Sequence, residues 1–255
     1  MEFKLEKWKI KAMVGLLLLS ILIYAATIII FNDFEHTIWY IFIDLAFIPI
    51  DIVIVVFFVE DIIDRKEKEM IFEKMDMLMS VFFSEVGNSL LINFSKLDSH
   101  NAKIQSFLMD IEKADENEMV EILKKFKNQP HQFDLKLPEG SEEEFLLALK
   151  NVLYSKREFL VRMLENPNLL EKESLSNLLL AIFHLDEELE HRNITSTMPK
   201  TDIGHLIGDI DRVYFHLIYE WLNHLYYLKI KYPYMFSLAL RTNPFDKEAT
   251  VQVLK

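Results

Sequence analysis

AMVGLLLLSILIYAATIIIF (residues 12–31), NDFEH (32–36) and TIWYIFIDLAFIPIDIVIVVFFV (37–59) follow one another near the start of the chain. The first stretch carries no charge. At about 1.5 Å per helical residue it reaches roughly 30 Å, the thickness of the hydrocarbon core of a bilayer. A signal peptide has a shorter apolar core, closed by a small-residue cleavage site. Here a second apolar stretch follows almost at once. The pattern predicts a retained two-helix transmembrane hairpin with spans over 12–31 and 37–59.

Charge sets the expected orientation. Lys4, Lys7, Lys9 and Lys11 precede the first span, and Arg65, Lys66 and Lys68 follow the second. The connecting turn holds only Asp33 and Glu35. Cytoplasmic flanks of membrane helices are rich in Lys and Arg, so both termini are expected in the cytosol of a multi-pass plasma-membrane protein. Trp8, Trp39 and Tyr40 fall where interfacial aromatics belong. The sequons at Asn93 and Asn193 would then never meet a glycosylation machinery.

Working outward, residues 60–69 (EDIIDRKEKE) read as a charged helical stalk, and residues 70–255 as a cytosolic helical domain. Ile71, Met75, Leu78, Phe82 and Val86 recur at helical spacing and predict an amphipathic helix to about Phe94. Further helices are expected near 99–113 and 115–127. Residues 128–140, with two prolines and a glycine, read as a loop. Ser141 and Glu144 form a capping box that starts a helix ending at Asn166-Pro167. Residues 169–192 read as one helix. Thr201 or Asp202 caps a long helix to about Lys231, stopped by Pro233. A short helix with Phe236, Leu238 and Leu240 closes the series. The fold class is therefore all-α: a membrane hairpin followed by a helical bundle.

The 255 residues carry a formal charge of −12, which argues against nucleic acid as a partner. There is no cysteine, so disulfides and thiolate metal sites are excluded. No Gly-rich phosphate loop and no GxSxG nucleophile elbow occurs, so neither a cofactor nor a catalytic residue is expected. The segments FFSEVGNSLL (82–91), ENPNLLEKE (165–173), HLDEEL (184–189) and YPYMFSLALRTNPFD (232–246) resemble those of an uncharacterised family of prokaryotic two-span membrane proteins. That resemblance extends to the FIPID segment of the second span. It implies a prokaryotic, full-length, two-span chain and transfers no catalytic residue.

Two groups of residues are candidates for function. Asp44 and Asp51 lie in the second span, seven residues apart and so on one helix face, about 10 Å from each other. Carboxylates at such depth are costly and often mark an ion path. Pro49 between them frees the carbonyl of Leu45. In a homo-oligomer the two aspartates would form acidic rings around a cation pore. Alternatively, Ser20, Tyr24 and Thr27 form a polar stripe on the first span, with Tyr24 at the depth of Asp44. A Tyr24–Asp44 hydrogen bond would make this a packing device. Asp51 matches apolar Leu17 and has no such partner.

The second group is on two late helices. His184, Glu188 and His191 occur on the first, with Glu188 and His191 at the Glu-x-x-His spacing of di-iron bundles. His205 and Asp209 share a face of the second, and so do His216, Glu220 and His224. The plainer reading is a solvated acidic face with histidines capped by carboxylates. The leading functional reading is a non-enzymatic, membrane-anchored helical protein acting through protein assembly or signalling. A homo-oligomeric cation channel is second and a helical metal-binding protein third. The expected partners are the lipid bilayer, further copies of the chain and, for the channel, cations.

Overall fold

The computed structural model describes residues 7–31, 34–99, 104, 110–128, 133–246 and 249–252. The chain divides into two compact units, Met1–Lys68 and Glu69–Lys255. The structure is all-helical; among the described residues the sole β feature is an isolated antiparallel bridge between Asp98 and Leu135.

The first unit holds α1 (Lys7–Phe31) and α2 (Phe34–Ile54), a π turn over Val55–Val59 and the start of α3 (Glu60–Phe82). Pro49 lies inside α2 without ending it. Nearly every described apolar side chain here points outward, and Thr37 is the one buried residue among those described. The helical run Phe34–Ser95 contains a segment long and apolar enough to cross a membrane. Within α1, Val14–Ile30 is a shorter apolar segment. Asn32, Asp33 and the side chain of Trp8 lie outside the described residues.

The second unit has a continuous apolar core. Following α3 come a π turn at Phe83–Gly87, then α4 (Asn88–Ser95), α5 (Glu116–Asn128) and α6 (Glu142–Leu164). After these come α7 (Glu173–His191), α8 (Lys200–Lys231) and α9 (Pro233–Arg241). The long α8 is central: α4, α5, α7 and α9 all pack on it, and α6 packs on α7. Its buried stripe, Leu206, Asp209, Ile210, Val213, Leu217, Glu220, Trp221 and His224, follows helical periodicity but admits three polar residues.

Several expected boundaries move, each for a local reason. Ser141 sits at the N-cap of α6, but its hydroxyl makes no capping bond. Its ψ of 20° is not the extended geometry that aims an N-cap oxygen at the first turn. A reciprocal capping box does form at Asp115 and Glu118, each side chain accepting from the other's backbone N–H at 2.9 Å. Residues 169–192 are not one helix. A 3₁₀ turn at Leu169–Glu171 ends where Lys172 turns to φ −120°, ψ 77°, and α7 then begins at Glu173. Pro199 is the N-cap of α8, so Asp202 falls in its first turn. Pro233 begins α9 as well as following α8, with the break at Tyr232. Most of 99–113 lies outside the described residues.

The π turn at Phe83–Gly87 has an energetic reason. Phe82 and Phe94 are both fully buried yet twelve residues apart. At about 100° per residue a pure α-helix would put them about 120° out of phase. One wide turn absorbs a residue and brings them within about 20°. Gly87 permits this turn, because a Cβ there would lie 2.5 Å from the Phe83 ring and 2.8 Å from that of Phe82. Both rings are buried and cannot swing aside. Gly87→Ala should therefore destabilise the protein by about 2 kcal/mol, the usual cost of overpacking. A denaturation midpoint equal to wild type would show that the turn relaxes freely.

Candidate functional site

The loop between α7 and α8 is short, so the C-terminal half of α7 lies against the N-terminal half of α8. Each helix contributes a histidine and, one turn later, a carboxylate: His184 and Glu188 on α7, His205 and Asp209 on α8. The four groups meet. His205 Nε2 is 3.3 Å from Asp209 Oδ2 and 3.4 Å from Glu188 Oε2. His184 Nε2 is 3.5 Å from Asp209 Oδ1 and 4.0 Å from Glu188 Oε1. Ligand atoms of His184, His205 and Asp209 all fall within 4.8 Å of one another.

Burial is unequal across the cluster. Asp209 occupies a core position and is 2% exposed, whereas His184 and His205 are 45% and 52% exposed. The Arg212 guanidinium donates to Asp209 Oδ1 at 2.9 Å. Asp209 Oδ2 is buried and makes no hydrogen bond. Arg192 pairs with Glu188 and, at 2.9 Å, with Asp202. The Arg192 hydrogen bond holds the Glu188 carboxyl below its ordinary range. Chemically, the site offers two imidazole nitrogens and the Asp209 carboxylate to one point, with Glu188 beside both histidines and both carboxylates held by arginines.

The Glu-x-x-His reading of α7 does not match this geometry. His191 lies apart from the cluster, its Nδ1 donating to the Glu187 carbonyl at 2.8 Å. Glu188 faces His184 and His205 instead, because (i, i+4) neighbours stack more closely along α7 than (i, i+3) ones here. In the first unit, the Tyr24 hydroxyl donates to Asp44 Oδ2 at 2.5 Å, joining α1 to α2. Asp51 is exposed, with no hydrogen bond or ion pair among the described residues, two positions beyond Pro49.

Residues 71–241 match the family described as "Uncharacterized protein MJ1433, C-terminal helical domain", and residues 3–63 match "MJ1433, N-terminal helical domain". The chain belongs to this family. The uncharacterized protein MJ1433 of the archaeon Methanocaldococcus jannaschii is 41% identical over 236 residues, 92% of each chain. No solved structure matches. Asp44 and Asp51 fall in the N-terminal helical domain, and the histidine–carboxylate cluster falls in the C-terminal one.

That C-terminal domain holds a second polar group which sequence reasoning placed on a surface face. Glu220 and His224 are buried on α8. Glu220 is 0% exposed, with Lys172 Nζ 3.7 Å away, and Lys172 also binds Asp76 at 2.8 Å. Burial raises the Glu220 carboxyl above its usual range, and Lys172 opposes this. The His224 ring stacks on Phe83 at 5.2 Å, and burial pushes its pKa down to about 4. The pattern Leu217, Glu220, His224, Leu228 on the apolar stripe of α8 was the available clue. Arg157 and the buried Asp186 pair across α6 and α7 in the same structural manner.

Proposed function

We propose that this chain is a two-span integral membrane protein whose cytosolic helical domain works by docking to other proteins or to further copies of itself. The reading rests chiefly on the outward-facing apolar side chains of α1 and α2. Each large apolar side chain left in water forgoes about 1.5–3 kcal/mol, and more than a dozen do so here. A bilayer satisfies them, and the lysine asymmetry at the flanks sets both termini in the cytosol of the plasma membrane. The Tyr24–Asp44 bond supports a hairpin, since a hydroxyl–carboxyl pair lets a buried polar group persist in lipid. Docking is supported by Leu147, Tyr154 and Val161, seven residues apart along α6 and all exposed, Tyr154 by 71%.

The chain has no cysteine, so labelling is clean. In intact cells Glu35→Cys should react with an impermeant maleimide and Val251→Cys should not. Reaction at Val251→Cys alone, or full release of the protein by alkaline carbonate, would reverse the topology or remove the anchor.

A cation-conducting oligomer is the second reading, and Asp51 favours it. Among the described residues its carboxylate has no partner, while Asp44 is committed to Tyr24. Purified protein in liposomes should then pass cations, and Asp51→Asn should abolish the flux while leaving assembly intact. Liposomes that stay tight would leave Asp51 as an assembly residue.

A further inference from the structure

We propose that His184, Glu188, His205 and Asp209 form a binding site for one divalent transition-metal ion between α7 and α8. The inference is independent of the topology and docking reading above.

Ligand spacing is the first argument. A four-coordinate ion with bonds of about 2.1 Å holds its ligand atoms about 3.4 Å apart. Ligand atoms of His184, His205 and Asp209 all fall within 4.8 Å of one another, with His205 Nε2 3.3 Å from Asp209 Oδ2 and 3.4 Å from Glu188 Oε2, and His184 Nε2 3.5 Å from Asp209 Oδ1. Charge-assisted histidine–carboxylate hydrogen bonds are shorter, about 2.7–2.9 Å. The second argument is the state of Asp209. A carboxylate oxygen in the core is costly unless something binds it. Oδ2 is buried, makes no hydrogen bond and faces the His205 imidazole at 3.3 Å. A cation held jointly by Oδ2 and Nε2 satisfies both.

The surroundings fit a cation that enters from solvent. Arg212 takes Oδ1 of Asp209, leaving Oδ2 for the metal. Arg192 anchors Glu188 against Asp202. Such outer partners fix ligand orientation in metal sites. The half-exposed histidines leave an approach and an open coordination position. Imidazole with carboxylate suits Zn²⁺, Fe²⁺, Mn²⁺ and Co²⁺, whereas Ca²⁺ and Mg²⁺ prefer all-oxygen shells. The two arginines already neutralise the carboxylates, so binding is expected to be moderate in strength.

The test uses the full chain, purified in detergent without a polyhistidine tag, stripped with chelator and titrated with Co²⁺. One equivalent should bind, giving visible d–d bands that Zn²⁺ displaces. His184→Gln and His205→Gln should each weaken binding about tenfold or more, and the double variant should lose it. His191→Gln should bind as wild type does. Because Asp209 is a core residue, the histidine variants are the informative ones, with circular dichroism to check their helicity. A second readout needs no variant: Zn²⁺ should protect His184 and His205, but not His191, from diethylpyrocarbonate. Absence of saturable binding by any of the four metals overturns the proposal. So does binding that survives in the double variant, or modification of His184 and His205 that Zn²⁺ leaves unchanged.

Discussion

Replacing Lys172 with Met should destabilise the protein by about 3 kcal/mol at neutral pH. Lys172 is the cation beside Glu220, which has no exposure to water, and it also binds Asp76. Removing one partner of a buried pair leaves an uncompensated charge, which costs several kcal/mol. Glu220 escapes the full cost by taking up a proton, since burial already raises its pKa. The sign with pH follows. A carboxyl whose folded pKa lies above its unfolded value gives stability below the unfolded pKa and loses it as pH rises. The Lys172→Met defect should therefore be small near pH 4.5 and large near pH 8. Urea midpoints at the two pH values measure it, and Glu220→Leu in the same chain should restore much of the loss. A defect that is equal at both pH values, or absent, would mean that Lys172 does not neutralise Glu220.

Acid should destabilise the wild-type protein through His224. Its pKa is pushed from 6.5 to about 4 by burial, with Lys172 adding to the effect. The unfolded chain binds the proton first, so stability is full above about pH 6.5 and falls as pH drops toward 4. A displacement of that size corresponds to about 3 kcal/mol. Glu220 works in the opposite direction over part of this range, so the clean measurement is a comparison. His224→Phe keeps the ring stack on Phe83 and removes the titration. Its melting temperature should fall less than that of wild type between pH 6.5 and 4.5. Parallel curves for the two proteins would assign the acid sensitivity elsewhere.

Helix existence was legible along the described residues, because apolar residues recur at helical spacing and the loops carry Pro, Gly and Asn. What failed were the ends. Ser141 carries the capping-box pattern, yet the backbone there does not point its hydroxyl into the helix, whereas Asp115 forms such a box with Glu118. The candidate metal residues were legible as helical faces, and His184, His205 and Asp209 converge with Glu188 beside them. His191 does not, since sequence spacing fixes a face only to within a turn, and α7 turns this side chain to its own backbone. Glu220 and His224 looked solvated because charge suggests exposure. The identity of their flanking residues, Leu217 and Leu228, places them in the core. The Tyr24–Asp44 contact followed from depth alone.

The wide turn at Phe83–Gly87 has a consequence for lineage as well as for packing. A helix that carries one surplus residue holds an insertion it has absorbed without breaking. Removing Ser84 would convert the turn to regular α-helix and leave Asn88–Ser95 in the same phase relative to Phe82. Deletion of one residue elsewhere in this helix, where there is no surplus residue to remove, would rotate everything downstream by about 100°. Aligned members of the family should therefore place any single-column gap in this helix between Phe82 and Asn88. A gap there would leave the downstream positions equivalent to 90, 91 and 94 buried on the same face.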